Sequence, residues 1–123
     1  MGTQMTILSN KEKEEVIQHV LLWQRTNRLK STRKFKDNIP KTVITIVVQL
    51  ISRIDKMDTG SEEKKTLFFN YISKLPSREL ITNRNTLEDL KQLIDVIVND
   101  EKLKGFSYEQ LSFFIHWMQR ITK

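Results

Sequence analysis

The chain of 123 residues contains no cysteine, only two prolines and only three glycines. The lack of cysteine excludes a disulfide-stapled scaffold and a cysteine-ligated zinc site, and it fits a reducing intracellular compartment. Scarce proline and glycine leave few tight turns, which favours long helices over many short strands. The glycines stand at positions 2, 60 and 105, too far apart for a phosphate-cradling loop or a dinucleotide turn. The two histidines, His19 and His116, fall on different expected helices and without the HExxH spacing, so no metal-ligand set can be nominated. Both read as ordinary surface or boundary residues. Long apolar runs are also missing. The longest, Val43 to Ile54, is broken by Thr45, Gln49, Ser52 and Arg53, and it is too short and too polar for a bilayer span. Met1 to Asn10 has no apolar stretch resembling a signal peptide. A soluble, intracellular protein without membrane insertion, metal or cofactor is expected, and no catalytic motif emerges to suggest an enzyme.

What is present is enough apolar material for one core: hydrophobic residues make up 38% of the chain and charged residues 29%, outside the range of disordered chains. Residues 1–8 are expected to form a disordered N-terminus and 9–123 a single helical domain. The expected fold is all-α, a compact bundle of about five helices with the Val43–Met57 helix at its centre. The first helix begins at the capping box Ser9-Asn-Lys-Glu12 and places Val16, Ile17, Val20, Leu21 and Trp23 on one face. The β-branched run Val43-Ile-Thr-Ile-Val-Val48 could suit a strand. Its polar residues, Thr42, Thr45, Gln49, Ser52, Arg53 and Lys56, instead gather on one arc of a helix, whereas a strand would scatter them over both faces. Pro40 suits the start of that helix and Gly60 its stop. A third helix carries Leu67, Phe68, Tyr71, Ile72 and Leu75 and ends at Pro76, with a short helical turn after it. A fourth starts at Thr86, capped with Asp89, and carries Leu87, Leu90, Leu93, Ile94, Ile97 and Val98. A polar loop, Asn99 to Gly105, leads to a second capping box, Ser107-Tyr-Glu-Gln110, and to a last helix whose inward face is Leu111, Phe114, Ile115 and Met118.

Charge is the least evenly distributed property. Arg25, Arg28, Lys30, Arg33, Lys34, Lys36 and Lys41 face a single acid, Asp37, so this segment alone accounts for the formal net charge of +6. Its cations alternate with Thr26, Asn27, Ser31, Thr32 and Phe35. Such a mixture suits phosphate contact by charge and hydrogen bond, with Phe35 available to stack on a base. Lys34, Lys36 and Lys41 also approach the amino terminus of the central helix, where free amides favour an anion. The leading expectation is therefore a non-enzymatic helical binding protein that contacts nucleic acid or another polyanion through Arg25–Lys41. Two other readings of the segment stand beside it: a solvated connector, and a contact for an acidic protein or lipid surface.

The alternative function is a protein–protein interaction module, an adaptor, inhibitor or complex subunit. Phe113 and Trp117 lie four residues apart on the last helix, away from its inward stripe and beside Arg120, and aromatic residues with arginine are typical of binding hot spots. Leu22 and Leu29 likewise point away from the core face of the first helix. The competing reading is that these residues are simply packed, since a central helix can be buried almost all round.

Overall fold

The computed structural model describes residues 8–25, 41–78 and 82–121. The expectation of a disordered N-terminus and the larger part of the basic segment lie outside these residues. Among the described residues there are seven helices and no strand: α1 Asn10–Arg25, α2 Lys41–Asp55, α3 Ser61–Ile72, α4 Leu75–Arg78, α5 Arg84–Val98, α6 Glu101–Gly105 and α7 Tyr108–Ile121. The five long ones are the five read from periodicity. No helix of the described residues is long and apolar enough to cross a membrane.

The helix starts follow from local hydrogen bonding. At α1, the Glu12 amide donates to Ser9 Oγ (3.1 Å) and the Ser9 amide to Glu12 Oε1 (2.9 Å). This satisfies two amides that a helix terminus would otherwise leave open. The same reciprocal pair forms at α7 between Ser107 and Gln110, both at 3.1 Å.

Other boundaries differ from the sequence reading. Helix α5 is capped by Asn83, whose Oδ1 accepts from the amides of Asn85 (2.9 Å) and Thr86 (3.2 Å). Thr86 is therefore inside the helix, and Asp89 is fully buried instead of sitting on a polar face. Helix α2 stops at Asp55 and tightens through Lys56 and Met57, whose amides bond three residues back. Gly60 belongs to the next helix, as the N-cap of α3 with an ordinary extended backbone. Helix α3 ends at Ile72 and not at Pro76, because a proline ring clashes with the carbonyl four residues before it. That residue is Ile72. Pro76 then falls in the first turn of α4, where its missing amide costs little. The stretch read as a polar loop contains α6, with Asp100 as its cap.

Two helices share the centre. Helix α2 packs on α3, α5 and α7, while α7 packs on α1, α2 and α3. Val43, Ile44, Val47, Leu50, Ile51 and Ile54 of α2 meet Leu111, Phe114, Ile115 and Met118 of α7 in one continuous core. Polar contacts fix the register between these elements. Gln119 Nε2 donates to Thr45 Oγ1 (3.1 Å), and Gln110 Nε2 reaches the Glu12 carbonyl and Glu15 Oε1, both at 3.3 Å. Tyr108 OH donates to Asp55 Oδ1 at 2.6 Å. Burial, then that hydrogen bond and the charges of Asp55 and Glu109, push the Tyr108 phenol well above its ordinary pKa.

Candidate functional site

The face of α1 that enters the core is not the one its apolar residues suggest. Val16, His19, Val20 and Trp23 are buried, whereas Ile17 and Leu21 are exposed. A histidine displaces a leucine because a buried carboxylate waits for it. His19 Nε2 donates to Asp100 Oδ2 at 2.9 Å, and Trp23 Nε1 donates to the same oxygen at 2.7 Å. The Leu103 amide donates to Oδ1 at 3.1 Å, closing the α6 cap. Burial alone would raise the Asp100 pKa. The hydrogen bonds from Trp23, Leu103 and His19, with the His19 charge, outweigh it and hold the carboxyl below its ordinary value. Phe106 and Phe114 enclose the imidazole at ring distances of 5.9 and 5.6 Å, and Trp23 meets Phe114 edge-on at 5.0 Å.

This cluster ties α1 to the α5–α6 corner and to α7. The cap, the indole and the imidazole at this carboxylate are structural contacts. His19 is thus neither a surface nor a boundary residue. His116 is exposed on α7, where its Nδ1 lies 2.8 Å from the Ser112 carbonyl. Among the described residues no three His, Cys, Asp or Glu side chains come together to hold a metal ion.

Of the basic segment, Arg28, Lys30, Arg33, Lys34, Phe35 and Lys36 lie outside the described residues. Its two ends are placed: Arg25 is the last residue of α1, and Lys41, exposed, is the first of α2. The first turn of α2 carries no acidic residue, unlike those of α1, α3, α6 and α7. No side-chain acid in that turn neutralises the positive end of its helix dipole.

Of the protein-interaction residues, Leu29 lies outside the described residues and Leu22 is exposed. Phe113 and Trp117 are half-buried, packed against the edge of the core and against each other edge-to-face at 6.4 Å. Arg120 is exposed, with its guanidinium 5.5 Å from the centre of the Trp117 ring. The three form one edge strip of α7. Sequence reasoning assigned Ile17 and Leu21 to the core and so missed them as surface. The spacing on α1 carries no signal that marks them as surface, since Val16, Ile17, Val20, Leu21 and Trp23 lie on one continuous wide arc.

The chain matches no protein-family model, no curated protein and no solved structure.

Proposed function

We propose that this is a non-enzymatic binding protein that contacts nucleic acid, or a polyanion of similar charge density, through Arg25–Lys41. The observation that carries the reading is the confinement of the whole net charge of the chain to that segment, seven cations against one acid. It runs between the last residue of α1 and the first turn of α2, both held by the core. A cationic stretch anchored at both ends loses less freedom on binding than a free tail of the same composition. The acid-free first turn of α2 adds a helix terminus suited to phosphate beside Lys41. Contact would be mainly to the backbone and without strong sequence preference, since charge and hydroxyls position a protein on nucleic acid but do not read bases.

Fluorescence anisotropy with labelled single- and double-stranded oligonucleotides tests this. Binding should appear at low salt and disappear in a variant carrying Arg33→Glu, Lys34→Glu and Lys36→Glu. Absence of binding at low salt, or unchanged binding by the variant, removes the reading.

A second reading has its own observation. The exposed Ile17, Leu21 and Leu22 of α1, and the Phe113–Trp117–Arg120 strip of α7, favour a protein-interaction module. A pull-down followed by mass spectrometry separates the two, because it returns either nucleic acid and its associated proteins or a discrete protein partner.

A further inference from the structure

The charge bias of the basic segment does not stop at Lys41. From Arg25 to Ile54 the sole acid is Asp37, so the bias runs on through nearly all of α2. The residues that α2 keeps out of the core form one continuous arc. From Lys41 a row advances in steps of four through Thr45 and Gln49 to Arg53, and Ser52 and Lys56 lie alongside it at helical spacing. All six are exposed except Thr45, which is half-buried and bonded by Gln119 of α7. The arc ends where acids return, at Asp55, whose carboxylate accepts from Tyr108 OH, and at Asp58. Other helices differ. On α1, α3 and α5 exposed acids stand among the cations: Glu14 and Glu15, Glu62 and Glu63, Glu88 and Asp95. Solubility needs only such mixed faces. The α2 arc carries one sign, with cations at its two ends and uncharged hydrogen-bonding side chains between them.

We propose that this arc continues the polyanion surface, and that a nucleic-acid backbone lies along α2 from the basic segment to Arg53 and Lys56. The inference rests on the reading of Arg25–Lys41 as the polyanion contact. Charge complementarity selects the occupant. Phosphate oxygens take Lys41, Arg53 and Lys56 by charge, and Thr42, Gln49 and Ser52 by hydrogen bond. Lys41 and Arg53 stand 12 positions apart, about 18 Å along the helix, a length over which one strand of a duplex presents about five phosphates. Helix α2 packs on α3, α5 and α7 and presents this arc alone, so it lies flat against a backbone and does not enter a groove.

The test is fluorescence anisotropy of the full chain with a labelled duplex across a salt series, using two variants matched in charge. Gln49→Glu with Lys56→Glu puts two acids on the arc. Gln18→Glu with Lys13→Glu makes the same change at exposed positions of α1. The arc variant should lose about tenfold in affinity at low salt and about 1 in salt slope, with unchanged helical circular dichroism. The α1 variant should lose less than about threefold and keep its slope. Lys56→Gln alone should make the slope shallower by about 0.9. Equal losses in the matched pair overturn the inference, since net charge then explains both, and so does an arc variant that binds as the wild type does. If the latter holds while Arg33→Glu, Lys34→Glu and Lys36→Glu together abolish binding, the α2 track falls and the basic segment stands. A wild type that does not bind at low salt removes both.

Discussion

Asp100 gathers bonds from three directions, and its loss should be felt in all of them. Asp100→Ala leaves the Trp23 indole and the Leu103 amide without an acceptor in a buried site, at a cost of about 2–4 kcal/mol by chemical denaturation. The pH dependence has a definite sign. A carboxyl whose folded pKa is depressed, as here, contributes stability that is present above its unfolded value and lost as pH falls through the folded one. Below about pH 4 the wild-type melting temperature should therefore fall more steeply than that of Asp100→Asn. Parallel curves would show that the carboxylate charge contributes nothing there. None of this was legible locally. His19 and Asp100 are 81 positions apart, and no pattern within a helix announces a carboxylate in a segment that reads as loop. Trp23 and Phe114 were legible as core because each repeats its own helix's spacing.

Helix boundaries separate what local chemistry decides from what it leaves open. The capping boxes at Ser9 and Ser107 formed as their sequences imply, because each bond needs only residues three apart. At α5 the sequence reading put the start at Thr86, and Asn83, three residues earlier, holds the terminus instead. Asn83→Ala should cost about 1 kcal/mol. Thr86→Ala, at a helical position, should be neutral or slightly stabilising. The reverse order in thermal melts would return the cap to Thr86. The apolar stripes of α5 and α7 fixed their inward faces, and the narrow polar arc of α2 fixed its outward one. The stripe of α1 did not fix its face. Val16, Ile17, Val20, Leu21 and Trp23 span so wide an arc that neighbours choose which part is buried, and the contacts with Asp100 and Phe114 chose His19 over Leu21.

The molecule as a whole depends on the meeting of α1 and α2 across α7. Phe114, fully buried against His19 and Trp23, lies where α1 meets that centre, and Phe114→Ala should lower stability by about 3–5 kcal/mol. Over the same frame, the net charge rests on a segment joining the two helices that flank α7. The binding role proposed for it is tested most directly by the salt dependence of oligonucleotide affinity. Each phosphate neutralised adds about −0.7 on single strands, or −0.9 on duplex DNA, to the slope of log affinity against log salt. Engagement of most of the seven cations should give a slope of roughly −4 to −6 on duplex, made shallower by roughly 2–3 in the variant with Arg33→Glu, Lys34→Glu and Lys36→Glu. A wild-type slope near zero, or an identical slope in the variant, would place the contact elsewhere and contradict the assignment of Arg25–Lys41.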